Sequence, residues 1–188
     1  LLVDKLFRRA LAKATNYIVT FTEDKQILGQ RTLCISNGFE PESIPLKKFS
    51  KNPSDKDTIH FLAVAEVHYW HGLDRFMAGM GEYYKNGGSA NLIFHIVGGV
   101  ADSEMYNSIH APGLHDLIVR YNLQQRVIFH SQLFGQELTN LFNLADFAIG
   151  SLARHRSGIT HIKTLKNREY GARGITFLSR ETEAAFEH

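Results

Sequence analysis

Cysteine is nearly absent: Cys34 is the only one, which excludes an internal disulfide framework. With no Asn-X-Ser/Thr acceptor site anywhere, the sequence reads as that of a cytoplasmic protein. Long apolar runs are absent as well. Phe61 to Ala65 and Leu92 to Val97 are strand-length, so any expected membrane association is peripheral, at an inner membrane face. An excess of one charge sign is also lacking. Lys and Arg number 21 against 19 Asp and Glu, a net +2 with a pI near 8.7, too mild to argue for a nucleic-acid partner. The Gly98-Gly99 turn lacks the Gly-X-Gly-X-X-Gly fingerprint, which leaves a dinucleotide oxidoreductase unsupported. Ten histidines are present, but neither His68 with His71 nor His155 with His161 has an obvious third ligand, so no metal and no cofactor is expected.

At 44% hydrophobic and 21% charged residues over 188 positions, the composition suits one soluble domain with a real core, spanning 1–188. Leu2 to Ala14 sets Val3, Leu6, Phe7, Ala10, Leu11 and Ala14 at helical spacing, which predicts a leading amphipathic helix. Tyr17 to Phe21 and Leu33 to Ile35 read as strands, Glu23 to Gly29 as a short helix, and 39–57, with its prolines and lysines, as an irregular linker. From Thr58 strand and helix alternate. Apolar strands at Ile59 to Val67, Leu92 to Val97, Val127 to Phe129 and Phe147 to Ile149 are separated by helical faces such as Leu73, Phe76, Met77, Met80. That pattern predicts an α/β fold, a Rossmann-like parallel sheet with helices on both faces. Ligands of such sheets bind at the carboxyl ends of the strands, here the loops Glu66 to Gly72, Gly98-Gly99, His130 to Phe134 and Ser151 to Lys163.

The most informative segment runs from Arg156 to Phe177. A loop with Ser157 and Gly158 leads into a helix-forming run carrying Lys163, Lys166, Arg168, Glu169 and Arg173, which stops at Gly174 before a short apolar strand. Free amides at the helix start and the two lysines suit a diphosphate, and Glu169 suits sugar hydroxyls. Gly158 would let backbone approach a phosphate. Against this stands a plain surface helix, with Glu169 paired to Lys166 or Arg173. Asp74 fits the first turn of a helix for stability alone, Trp70 packs or stacks, Glu66 pairs with Arg75 if structural, and Cys34 is expected to be buried.

Several short signatures agree in type, order and spacing. They are Asn37-Gly38, Trp70-His71-Gly72-Leu73-Asp74-Arg75, Phe94-His95-Ile96-Val97-Gly98, Val127 to Leu133, Ala145-Asp146 and Glu169-Tyr170-Gly171-Ala172-Arg173-Gly174. Together, over Ser36 to Leu178, the chain resembles the carboxyl-terminal, donor-binding half of GT-B fold glycosyltransferases of the family 1/family 4 type. The resemblance implies a second Rossmann-like domain upstream, absent from this sequence, and an active site in the cleft between the two. It implies a nucleotide-diphosphate sugar as donor, a carbohydrate or lipid-linked acceptor held by the other domain, and a hexosyltransferase reaction that this portion alone does not complete. The Trp70 to Arg75 and Leu165 to Tyr170 runs look like a subgroup that assembles bacterial surface polysaccharide.

The resemblance carries over residue by residue only in part. The family places an Arg after the first strand of this domain and a Lys five residues later; here those positions are Glu66 and His71. Of two glutamates eight residues apart, Glu169 matches the second, while His161 stands at the first and is the catalytic candidate. Lys163 and Lys166 would supply the missing positive charge, and Thr176 replaces an expected Pro. Two other readings stay open: a degenerate transferase module acting as a binding scaffold, and a sugar-nucleotide epimerase of the same architecture.

Overall fold

The computed structural model describes residues 2–20, 24–35, 38, 40–48, 57–106, 109–159, 161–162 and 164–183. The chain divides into two compact units, 1–38 and 39–188. In the first, α1 (Leu2–Lys13) precedes a small sheet of β1 (Ile18–Thr20), β2 (Gln26–Ile27) and β3 (Gln30–Cys34), in the order β1-β3-β2. The helix forms as its periodicity predicts, yet Val3, Leu6, Phe7 and Leu11 are each more than half exposed. The expected helix over Glu23 to Gly29 is not found in the described part of that stretch. Leu28 and Gly29 both adopt positive φ, 53° and 81°, which makes a tight hairpin turn that pairs β2 antiparallel to β3. Cys34, at the end of the short β3, is exposed rather than buried.

The second unit is built on a five-stranded, all-parallel sheet. In chain order it comprises β4 (Thr58–Val64), α2 (Leu73–Lys85), β5 (Asn91–Val97), α3 (Asp102–Met105), α4 (Leu114–Arg120), β6 (Val127–His130), α5 (Gly135–Leu144), β7 (Phe147–Ile149), β8 (His161–Ile162), α6 (Leu165–Ala172), β9 (Phe177–Leu178) and β10 (Thr182–Glu183). The strand order is β6-β5-β4-β7-β9, and β8 pairs separately with β10. The chain winds outward from β4 through β5 to β6, then crosses back to add β7 and β9 on the other side. The reversal falls between β4 and β7, the switch point of a doubly wound sheet.

Alternation along the strands feeds two cores. Ala63, Phe94 and Ile96 join Met77 and Met80 of α2 and Leu114 and Leu117 of α4 on one face. Leu62, Val97 and Ala148 join Leu141 and Phe142 of α5 and Tyr170 of α6 on the other. A strand buried on both faces cannot carry polar alternation, which is why these segments read as continuous apolar runs.

Polar residues do interrupt the second face. His60, His95 and His130, one from each of three adjacent strands, form a chain: His60 Nδ1 to His95 Nε2 at 2.9 Å and His95 Nδ1 to His130 Nε2 at 3.0 Å. Each bond occupies two ring nitrogens with one proton. Burial holds the His130 pKa below its ordinary value. Because the unfolded chain binds more protons, stability is full above about pH 6.5 and falls as pH drops through it. Below that point the His130 contribution to the unfolding constant is expected to rise towards about tenfold per pH unit, one proton's worth. His130→Leu should remove that contribution and make the fall in stability with pH shallower by about tenfold per unit, read by denaturant melts at pH 4.5 to 7.5.

Candidate functional site

At the switch point a cavity of about 340 Å3 opens between the loops that follow β4 and β7. Its origin is a single buried phenol. The β4–β7 ladder pairs Phe61 with Phe147 and Leu62 with Ala148 and goes no further. Beyond it the Tyr170 hydroxyl takes over both backbone groups, accepting from the Val64 amide at 3.1 Å and donating to the Ile149 carbonyl at 3.3 Å. The strands part without stranding either group. Tyr170 is fully buried, and burial holds its hydroxyl un-ionised, well above the usual tyrosine range.

The β4 loop is pinned by close backbone contact. Ala65 and Val67 donate to Val97 and Gly99 at 2.9 and 2.8 Å. Gly98, at φ 122°, runs so close that a Cβ there would stand 2.1 Å from the Ala65 carbonyl oxygen. Gly72, at φ 71°, packs against the β7 loop, where a Cβ would meet Ala153 at 2.9 Å. The two loops are also bonded: Leu152 donates to the His71 carbonyl at 2.9 Å, and Arg75 Nη1 to the Leu152 carbonyl at 3.1 Å. Arg75 is therefore committed to the β7 loop and does not pair with Glu66. Asp74, buried at the start of α2, takes a bidentate pair from Arg156 at 2.8 Å on both oxygens, and Arg156 also donates to the Tyr69 carbonyl at 2.8 Å. Asp74 holds the cavity's frame.

Lys166, Arg154, His71, Glu66 and Trp70 all line the cavity. Lys166 has no carboxylate within ion-pair range among the described residues, and its pKa is lowered to about 8, first by burial and then by Arg154, against a raising pull from Glu181. Arg154 has a buried Nε with no partner, its guanidinium sits 5.7 Å over the Trp70 ring, and its amide donates to Glu181 Oε1 at 2.7 Å. Trp70 stacks in turn on His68 at 4.3 Å. His71 is held neutral, its pKa lowered to about 3 by burial first, then by Lys166, His68 and Arg154. Its Nδ1 accepts from the His68 amide at 3.1 Å, so the ring proton sits on Nε2, available to a ligand. Two cations and a neutral N–H donor thus share one cavity, an arrangement suited to an anion with several oxygens.

Of the residues singled out from sequence, Glu66, His71 and Lys166 come together here. Glu169 lies on α6 outside the cavity lining and accepts from Arg173 Nε and Nη2 at 2.9 and 2.8 Å. Gly158 ends a short 3-10 turn at φ 72° and is also not a lining residue. Lys163 and the His161 side chain lie outside the described residues; the His161 backbone belongs to β8. Arg154 was not singled out, although the Arg154-His155-Arg156 run at a strand's carboxyl end carried the signal.

No protein-family model and no curated protein matches this chain. Solved structures do. HepE from Anabaena, solved in complex with UDP and glucose, superposes with a TM-score of 0.66 at 17% identity, over 99% of this chain and 51% of that one. Sucrose-phosphate synthase from Thermosynechococcus elongatus gives 0.65 at 14%, over 99% and 46%. The pneumococcal O-GlcNAc transferase GtfA, in complex with UDP and GlcNAc, gives 0.54 at 9%, over 94% and 32%. The fold is that of a GT-B glycosyltransferase half. The chain spans about half the length, or less, of the structures it matches.

The cavity depends on Tyr170. Tyr170→Phe should strand the Val64 amide and the Ile149 carbonyl and cost about 2–4 kcal/mol in a urea melt. A loss below about 0.5 kcal/mol would show that the hydroxyl does not hold the strand ends.

Proposed function

We propose that this chain is the donor-binding part of a glycosyltransferase and that the cavity holds the diphosphate of a nucleotide-sugar. The observation that carries the reading is Lys166, a partly buried ammonium without an ion pair among the described residues, facing the same space as Arg154 and the His71 Nε2–H. Burying a cation without a counter-charge is costly, and an arriving diphosphate removes that cost. The UDP complexes of HepE and GtfA support the ligand class.

In the transfer, the bond between the sugar's anomeric carbon and the diphosphate oxygen breaks, and negative charge gathers on the departing diphosphate. Lys166 and Arg154 stabilise that charge, and His71 donates from Nε2. Because His71 is already neutral in the free protein, it contributes a fixed hydrogen bond and no titrating charge near pH 7. The acceptor, a carbohydrate or lipid-linked sugar of a bacterial surface polysaccharide, is held by the rest of the protein at the cytoplasmic face of the membrane. No described helix is long and apolar enough to cross a bilayer. The scaffold reading draws on Glu169, whose carboxylate is engaged by Arg173.

Calorimetry with UDP and GDP separates the two. One of them should bind, with affinity falling as pH rises from 7 to 9, since Lys166 loses its proton near pH 8. Lys166→Met should weaken binding about 10- to 100-fold and remove that pH dependence. Absence of heat with either nucleotide at pH 7 favours the scaffold.

A further inference from the structure

The cavity is charged with opposite sign on its two walls. Arg154 and Lys166 come from the β7 loop and the first turn of α6, while Glu66 stands on the opposite wall, at the carboxyl end of β4. Glu66 has no ion pair among the described residues, and Arg75, the neighbour best placed by sequence to neutralise it, is bonded to the Leu152 carbonyl. Nor can its backbone swing away. It lies between the two amide bonds from Ala65 and Val67 and beside Gly98, where a Cβ would stand 3.3 Å from the Glu66 nitrogen. Glu66 is an exposed lining residue carried on a fixed backbone, and its carboxylate offers acceptors only.

We propose that Glu66 selects the transferred sugar, admitting donors whose sugar is neutral or carries an amine and refusing those whose sugar carries a carboxylate. The inference rests on the donor-site reading above. A diphosphate in this cavity is drawn to Arg154, Lys166 and the His71 donor and kept from Glu66 by like-charge repulsion. Opposite Glu66 then stands one of the two groups the diphosphate carries, and we assign that place to the sugar rather than the nucleoside. Neighbouring hydroxyls donate to both oxygens of a carboxylate, and an ammonium donates and adds an ion pair. A uronate has neither at its C6 and brings a second negative charge against the first. Discrimination of this kind works by rejection as much as by attraction.

Two pairs of donors that differ only at C6 test the inference whichever base is read: UDP-glucose against UDP-glucuronate, and GDP-mannose against GDP-mannuronate. Titrated into the parent chain, the uncharged member of the binding pair should be at least tenfold tighter. In Glu66→Gln, checked for folding by its thermal melt, the difference should shrink to about threefold or less, through tighter uronate binding. Equal affinities in the parent, or an undiminished difference in the variant, overturn the role of Glu66 while leaving the donor site standing. If neither UDP nor GDP binds even without a sugar, the donor reading itself fails and this inference with it.

Discussion

The hydroxyl of Tyr170 decides where the crevice at the switch point opens. Parallel strands stay together as long as each amide finds a carbonyl next door, and between β4 and β7 that exchange ends after the Leu62–Ala148 pair. A side chain from α6 then completes the Val64 amide and the Ile149 carbonyl, so the strand ends diverge with their hydrogen bonds satisfied. Everything lining the space hangs on those ends. Glu66 and His71 follow β4, Ser151 and Arg154 follow β7, and Lys166 is on the same short helix as the phenol itself. The residue that opens the crevice thus belongs to the element that supplies one of its cations.

A cavity needs walls that keep their distance, and here the restraints are backbone and salt-bridge contacts set around the charged residues. The Asp74–Arg156 pair and the Leu152–His71 bond fasten the β7 loop to the start of α2. Glycine at 72 and 98 permits approaches that a Cβ would block. Arg156, adjacent in sequence to the cavity's cations, is used up in this frame. Arg154, two residues earlier, is not: its backbone is anchored by Glu181 while its Nε is left without a partner.

The alternation of strands and helices from Thr58 onward was legible because both faces of β4 and β5 are covered, so apolar residues dominate both strands. The hairpin of β2 and β3 was not, since it depends on Leu28 taking a left-handed conformation that local composition does not announce. Glu66, His71 and Lys166 were legible as loop or helix-start residues at strand carboxyl ends. The Arg154-His155-Arg156 run marks a basic loop at a strand's carboxyl end, but the place of Arg154 beside Trp70 and Lys166 is a product of the crossover between β4 and β7. The His60–His95–His130 chain was hidden for the same reason: it exists only once three strands are in register, and each histidine alone resembles an isolated polar interruption of an apolar strand. Glu169, which spacing favoured, is held by Arg173 one turn away, the bland pairing that any helix with charges at that spacing permits.

The departures from the expected motif make sense as a change of wall. Where the resembling transferases would carry an Arg and a Lys after the first strand, this chain has a carboxylate at Glu66 and an imidazole kept neutral at His71. Taken alone, that substitution leaves the β4 wall unable to hold a diphosphate. The opposite wall carries Arg154 and Lys166, both within the same cavity and neither neutralised by a carboxylate in contact with its side chain among the described residues. Their nearness is also why His71 stays neutral, since each cation adds to the effect of burial on its pKa. Cationic charge near the expected diphosphate is thus preserved while its origin shifts from β4 to β7 and α6. The vacated position on β4 then has no need to be positive, which frees it to carry the carboxylate of Glu66 at the cavity wall.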